Sequence, residues 1–144
     1  MKFVDTNVFI RYLTRDDEAK AQACFDLFQR VRSGLEEITT SEANITKIVY
    51  MLSARAHYRL PHETVGALLR PLLLLKGFKL MHKRVYLRAL DSYVAHPTLD
   101  YEDALVAAHM ERRKVQTVYS YDTDFDRLPQ ISREEPPIAQ DQDQ

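Results

Sequence analysis

The sequence predicts an α/β domain built on a mainly parallel sheet. Two observations carry this. Short β-prone runs near residues 3–4, 35–40, 77–81 and 117–120 are separated by longer segments whose apolar residues recur with helical period. Strands that alternate with helices in this way pair in parallel, because the helix is the crossover that parallel neighbours need. The 144 residues fit one domain, since domains cluster near ~100–150 residues.

Each element has its own signals. Phe3-Val4 reads as a first strand, stopped by the helix-start residues Asp5-Thr6-Asn7. Val8, Phe9, Ile10, Tyr12 and Leu13 then mark a short helix. Asp16-Asp17-Glu18 places acid at the next helix start, where the helix dipole favours it. That helix carries Ala23, Cys24, Leu27, Phe28 and Val31 and ends at Gly34. Leu35–Thr40 is a short second strand, and Thr40 or Ser41 caps a helix bearing Ile45, Ile48, Val49 and Leu52. Pro61 suits the first position of a leucine-rich helix that Pro71 is expected to kink. Gly77–Met81 reads as a third strand, and Val85, Tyr86, Ala89, Leu90 and Tyr93 as a helix ending near His96-Pro97. Asp100 caps a helix with Ala104, Leu105, Ala107 and Ala108, closed by Arg112-Arg113-Lys114. Thr117–Ser120 is the last strand. Residues 1–132 are read as the domain and 133–144 as a flexible, polar, acidic tail.

Composition excludes several function classes. Apolar residues make up 45 % of the chain, enough for a core. Cys24 stands alone, which excludes a disulfide framework and a CxxC zinc site. Three glycines (Gly34, Gly66, Gly77) exclude a glycine-rich phosphate loop, so phosphate chemistry would have to use side chains or metal. The five histidines show no metal-ligand spacing. No long apolar stretch suggests a membrane span, and a cytoplasmic, reduced protein is expected. The net charge of −1 divides into a mildly basic 1–132 and an acidic 133–144.

In parallel α/β sheets, sites lie beyond the carboxyl ends of the strands. Asp5 follows the first strand, Asp122 follows the last, and Asp103 sits in the first turn of a helix. If the fold brings them together, three carboxylates form a site for a hard cation such as Mg²⁺ or Mn²⁺. Taken singly, each also reads as a helix cap or a dipole-favoured acid.

Three motifs resemble those of PIN domains, most of all the VapC-like toxin ribonucleases of toxin–antitoxin pairs. They are Val4-Asp5-Thr6-Asn7-Val8-Phe9-Ile10-Arg11-Tyr12-Leu13, Asp100-Tyr101-Glu102-Asp103-Ala104-Leu105-Val106-Ala107-Ala108 and Thr117–Pro129. Order and spacing fit across residues 2–129. The resemblance implies a three-layer α/β/α fold with a central parallel sheet and Mg²⁺- or Mn²⁺-dependent hydrolysis of RNA. It implies Asp5, Asp103 and Asp122 as catalytic metal ligands, with Asn7 and Ser120 beside them and Asp124 or Asp126 adding an outer carboxylate. It also implies a homodimer and a cognate antitoxin that inserts a basic side chain near the acids.

One position departs from that pattern. Lys47 stands where these domains carry a glutamate, just ahead of Ile48-Val49-Tyr50-Met51-Leu52. Facing the acids, its ammonium would pair with Asp5 or Asp103 and compete with a cation. Glu42, five residues earlier, reads as a first-turn acid rather than a substitute. A rival reading follows: a degenerate module that binds RNA or a protein without cleaving. Between Thr64 and Leu90 there is no acid, and Lys79, Lys83, Arg84 and Arg88 in that stretch are candidate RNA contacts. Phosphotransfer enzymes with an aspartate after the first strand need a second one where Asn7 stands, and receiver domains need a lysine after the last strand that is missing here.

Overall fold

A computed structural model describes residues 1–139. The elements are β1 (Lys2–Phe3), α1 (Thr6–Thr14), α2 (Glu18–Ser33), β2 (Ile38–Thr39), α3 (Glu42–Ser53), α4 (His62–Leu73), α5 (Lys83–Ala95), α6 (Tyr101–Arg113), β3 (Thr117–Tyr119) and β4 (Ser132–Glu134); the six helices follow the predicted order, and β4 was not expected. Local chemistry sets the boundaries. Asp17 and Ser41 accept the amides of Lys20 and Asn44 at the starts of α2 and α3. Gly34 ends α2 at φ 80°. Arg15 and Lys114 end α1 and α6 in the same left-handed region, at φ 55° and 59°, without glycine's freedom. Pro61 is the N-cap of α4, one residue earlier than expected, and α4 continues through Pro71.

The strands pair in parallel, as predicted, but they do not form one continuous sheet. β1 pairs with β2, and β3 pairs with β4. The third predicted strand shrinks to a single parallel bridge between Ile38 and Phe78. The reason is length: two- or three-residue strands offer few ladder bonds, so helix packing decides the arrangement. The tail boundary also changes. Ser132–Glu134 is a strand, so the folded part runs past residue 132; residues 140–144 lie outside the described residues.

The core is held by an aromatic cluster and aliphatic helix faces. Phe9 lies 5.6 Å from Phe28 and 5.5 Å from Phe78, centroid to centroid. Such pairs contribute about 0.5–1.5 kcal/mol each beyond their burial. Leu69, Leu72 and Leu73 are buried core, whereas Leu68 and Leu75 are half-buried and Leu74 is 57 % exposed. Gly77 is dictated by space: a Cβ there would meet the Glu36 carbonyl at 2.1 Å. Its N–H donates to Val31 O and its carbonyl accepts from Ile38, both at 2.8 Å, tying the end of α4 to α2 and β2. No helix among the described residues is long and apolar enough to cross a membrane.

Polar groups secure the end of β1. Thr40 Oγ1 donates to the Val4 carbonyl at 2.7 Å, and Asn44 Nδ2 reaches the same oxygen at 3.4 Å and Thr40 Oγ1 at 3.0 Å. Thr6 Oγ1 donates to Asn44 Oδ1 at 2.9 Å. Asn44→Ala removes the centre of this network and leaves the buried Thr6 hydroxyl without its acceptor. A loss of about 1–3 kcal/mol is expected, read from the urea midpoint; an unchanged midpoint would mean the network contributes nothing.

Candidate metal centre

Two elements deliver the acids. Buried Tyr101, Ala104, Leu105, Ala107 and Ala108 seat α6 against its neighbours and thereby fix the direction of Asp103 in its first turn. The other acids come from the turn after β3. Ser120 N–H donates to Glu134 O at 3.0 Å, continuing the β3–β4 pairing. Ser120 Oγ then accepts the Asp122 amide at 3.0 Å, and Asp122 Oδ1 accepts the Asp124 amide at 2.9 Å. Asp122 thereby caps a 3-10 turn over Thr123–Arg127, anchored by buried Phe125 and Leu128. From β4, Arg133 donates to Ser120 O and pairs with Asp126 and Glu135, each at 3.0 Å.

Asp103, Asp122 and Asp124 each bring a carboxylate oxygen within 4.8 Å of the others. Charge crowding and burial leave their mark. Burial, then the Asp122 carboxyl beside it, push Asp103 up to about 7. The Asp124 amide and the shared contact with Asp103 hold Asp122 below the usual carboxylate range. Below about pH 7 the pair therefore holds one proton, favouring Asp103 over Asp122. This donor set fits a hard cation: all ligands are oxygen, and oxygens at ~2.1 Å from Mg²⁺ lie up to roughly 4.2 Å apart.

The predicted site residues do not all meet. Asp5 is not in the group. It occupies the N-cap position of α1, yet its side chain accepts no bond there. The absence of a β1–β3 pairing accounts for this, because convergence of Asp5 with Asp122 presumed one sheet. Asn7 is exposed in the first turn of α1. Ser120 positions Asp122, Asp124 joins the group, and Asp126 is engaged by Arg133. Lys47 is exposed and forms no ion pair with Asp5 or Asp103; it lines a groove between α3 and α6 with Glu42, Glu102 and His109. Glu42 accepts from His109 Nε2 at 2.7 Å and is a first-turn acid of α3, as its spacing suggested. Of the basic stretch, Arg88 pairs with Glu111, and Lys83 donates to the Phe78 carbonyl. Lys79 and Arg84 are exposed and form no ion pair among the described residues.

Sequence reasoning missed Thr6, Thr40, Asn44 and Arg133. Asn44 carried a signal: it lies four residues before Ile48, on the buried face of its helix. Arg133 was assigned to the tail, where nothing pointed to its contacts.

A family model described as PIN domain matches residues 2–131. No curated protein matches the chain. Among solved structures, VapC20 of Mycobacterium tuberculosis, a toxin that cleaves the sarcin-ricin loop, is 20 % identical, with 88 % of this chain and 94 % of that one covered and a TM-score of 0.38. VapBC2 of Rickettsia felis, bound to a DNA fragment from its promoter, is 16 % identical, with 93 % and 97 % covered and a TM-score of 0.36.

The shared proton makes metal-free stability pH-dependent. Between the ordinary 3.8 and about 7, the native chain holds a proton on Asp103 that the unfolded chain has released. Stability therefore falls as pH rises through that window. Asp122 shifts the opposite way, and its effect lies below that window. Urea unfolding from pH 4 to 8 is expected to show the decline in the native chain and a flatter profile in Asp103→Asn; parallel profiles would contradict the proton assignment.

Proposed function

This chain belongs to the PIN domain family, and on that premise we propose that it is a divalent-metal-dependent endoribonuclease, the toxin of a VapC-like toxin–antitoxin pair. The observation that carries the reading is the Asp103, Asp122 and Asp124 group, one carboxylate from α6 and two from the turn after β3, with a proton shared by the first two below about pH 7. Mg²⁺ or Mn²⁺ in such a group would supply an activated water and offset charge on the scissile phosphate.

The chain's own residues have definite tasks in this reading. Asp122 is ionised and held by the Asp124 amide, so it offers oxygens without rearrangement. Asp103 releases its proton when positive charge arrives. Ser120 and Arg133 keep the turn in place. In this reading Asp5, whose carboxylate makes no capping bond, serves as a further acid, with Asn7 two residues on. Thiol chemistry is disfavoured: Cys24 is buried, and burial pushes its thiol up. Lys79 and Arg84 are the cations left to meet RNA phosphates. For the antitoxin, a groove of about 290 Å³ between α2 and α4 has an apolar floor with Phe25, Leu68 and Leu72, and Arg15 and Arg32 among its lining. A homodimer completes the reading.

Lys47 supports the second reading, a degenerate module that binds without cleaving. It puts an ammonium where the family pattern has a carboxylate, and Asp5 stands apart from the three-acid group.

Purified protein is expected to cleave RNA with Mn²⁺ or Mg²⁺. Asp122→Asn should reduce kcat/KM by at least about 100-fold, the scale on which a group stabilising transition-state charge acts. Asp5→Asn should stop cleavage as well; cleavage undiminished in both variants would dismiss this site. Calorimetric titration with Mn²⁺ separates the two readings. Binding by the native chain supports the nuclease, whereas binding gained only in Lys47→Glu supports the degenerate module.

A further inference from the structure

β4 brings to the acids a side chain that carries no ligand atom. Arg133 leaves the strand at the register position opposite Val118, beside the strand that leads into the turn of Asp122 and Asp124. Its side chain is only 15 % exposed. Nε and Nη2 donate to the two oxygens of Asp126 at 3.0 and 3.3 Å, the fork that a guanidinium makes with a carboxylate. Nη1 donates to the Ser120 carbonyl and to Glu135, each at 3.0 Å. One planar group thus joins both ends of the acid-bearing turn: Ser120 ahead of Asp122, and Asp126 beyond Asp124.

Inside this clamp the acids are fixed link by link. Ser120 Oγ accepts the Asp122 amide, and Asp122 Oδ1 accepts the Asp124 amide. Asp103 comes from α6, which is seated by its own buried face. Charge alone argues against an arginine here. Its cation helps to hold Asp122 low, and it repels an arriving divalent ion at the same time. A mere electrostatic neighbour would weaken the site, whereas a clamp sharpens its geometry. Sharpness matters unequally to different ions. Mg²⁺ needs a near-ideal octahedron at ~2.0–2.1 Å, completed by waters, while Ca²⁺ accepts more oxygens at ~2.3–2.6 Å in a flexible shell.

We infer that Arg133 is a positioning residue that gives this centre its preference for a small divalent cation over Ca²⁺, by clamping the turn that presents Asp122 and Asp124. The fork makes arginine necessary. Lysine is a point charge and cannot hold a carbonyl and both oxygens of a carboxylate in fixed geometry. The same contact occupies both oxygens of Asp126, so the turn offers a cation two carboxylates rather than three. Few carboxylates with room for water suit Mg²⁺, and an added one suits Ca²⁺.

This inference rests on the acids being a metal centre, and its test reads binding rather than turnover. The full chain, stripped with EDTA and desalted, is titrated calorimetrically with Mg²⁺ and, separately, with Ca²⁺. The native chain is expected to prefer Mg²⁺. Arg133→Lys, which keeps the charge and loses the fork, should weaken Mg²⁺ about tenfold or more, the usual cost of losing a group that orients a ligand. Its Ca²⁺ affinity should stay within about a factor of three, because that ion tolerates a looser site. Arg133→Met should behave alike, although it removes a repelling charge. Asp126→Asn keeps one of the two acceptors and should shift the preference the same way, by about threefold, as for one weakened hydrogen bond. Unfolded protein lowers the bound fraction for both ions alike and leaves the ratio of their affinities unmoved. An unmoved ratio in the variants, tighter Mg²⁺ binding by Arg133→Met, or a native chain without preference for Mg²⁺ overturns the clamp. Any of these together with RNA cleavage leaves the nuclease standing. The expected shift without RNA cleavage keeps the clamp and removes the nuclease, and a native chain that binds neither ion removes both.

Discussion

The Val4 carbonyl is the point on which the N-terminal half of the fold turns. β1 and β2 are each two residues long, and so short a ladder cannot hold a chain end in register alone. Thr40 from the end of β2 and Asn44 from α3 converge on that oxygen, and Thr6 closes the network from α1. Four elements are thereby locked at one buried spot. Asp5 lies between Val4 and Thr6, so its backbone is fixed on both sides while its carboxylate stays free. Gly77 does similar work at the far edge, where only a missing side chain lets three backbone segments touch.

The C-terminal half uses charge where the N-terminal half uses buried hydroxyls and an amide. Its strands are barely longer, and Arg133 binds the turn after β3 to β4 through one carbonyl and two carboxylates. Clustered acids need this restraint. Asp103 and Asp122 repel when both are ionised, and in the absence of a cation the proton on Asp103 relieves that repulsion. Such a pair is poised: the native geometry is compatible with a proton or with a cation, and the helix and the turn that supply the two acids are braced independently.

Helices were legible because their signals are local. Ser41, Asp17, Gly34 and the apolar stripes act within a turn or two of where they stand. Asp103 and Asp122 were legible for the same reason, since a helix's first turn and a strand's end are local positions. The joining of β1 to β3 was not, because strand pairing is decided by contacts more than a hundred residues apart, and the sheet on which the expectation for Asp5 leaned is two separate pairs. Lys47 shows another limit. Helical spacing puts it off the stripe of Ile45, Ile48, Val49 and Leu52, but solvent and the α3/α6 groove lie on that side, and only packing chooses between the groove and the acids.

The scarcity of glycine has a consequence for how far this chain can be improved. Arg15, Arg59, His82 and Lys114 all adopt left-handed backbone, at φ between 55° and 59°. Each gives up roughly 1–2 kcal/mol relative to a conformation natural to an L-residue, with part returned at Arg15 and Lys114, the C-caps of α1 and α6, by the attraction of a cation to the dipole. None of the four belongs to the acidic group. The fold thus carries a reserve of untapped robustness at its surface. Directed evolution for heat tolerance has Arg59, His82 and Lys114 to draw on without touching the acids or the α2/α4 groove, and glycine or asparagine is the replacement to look for.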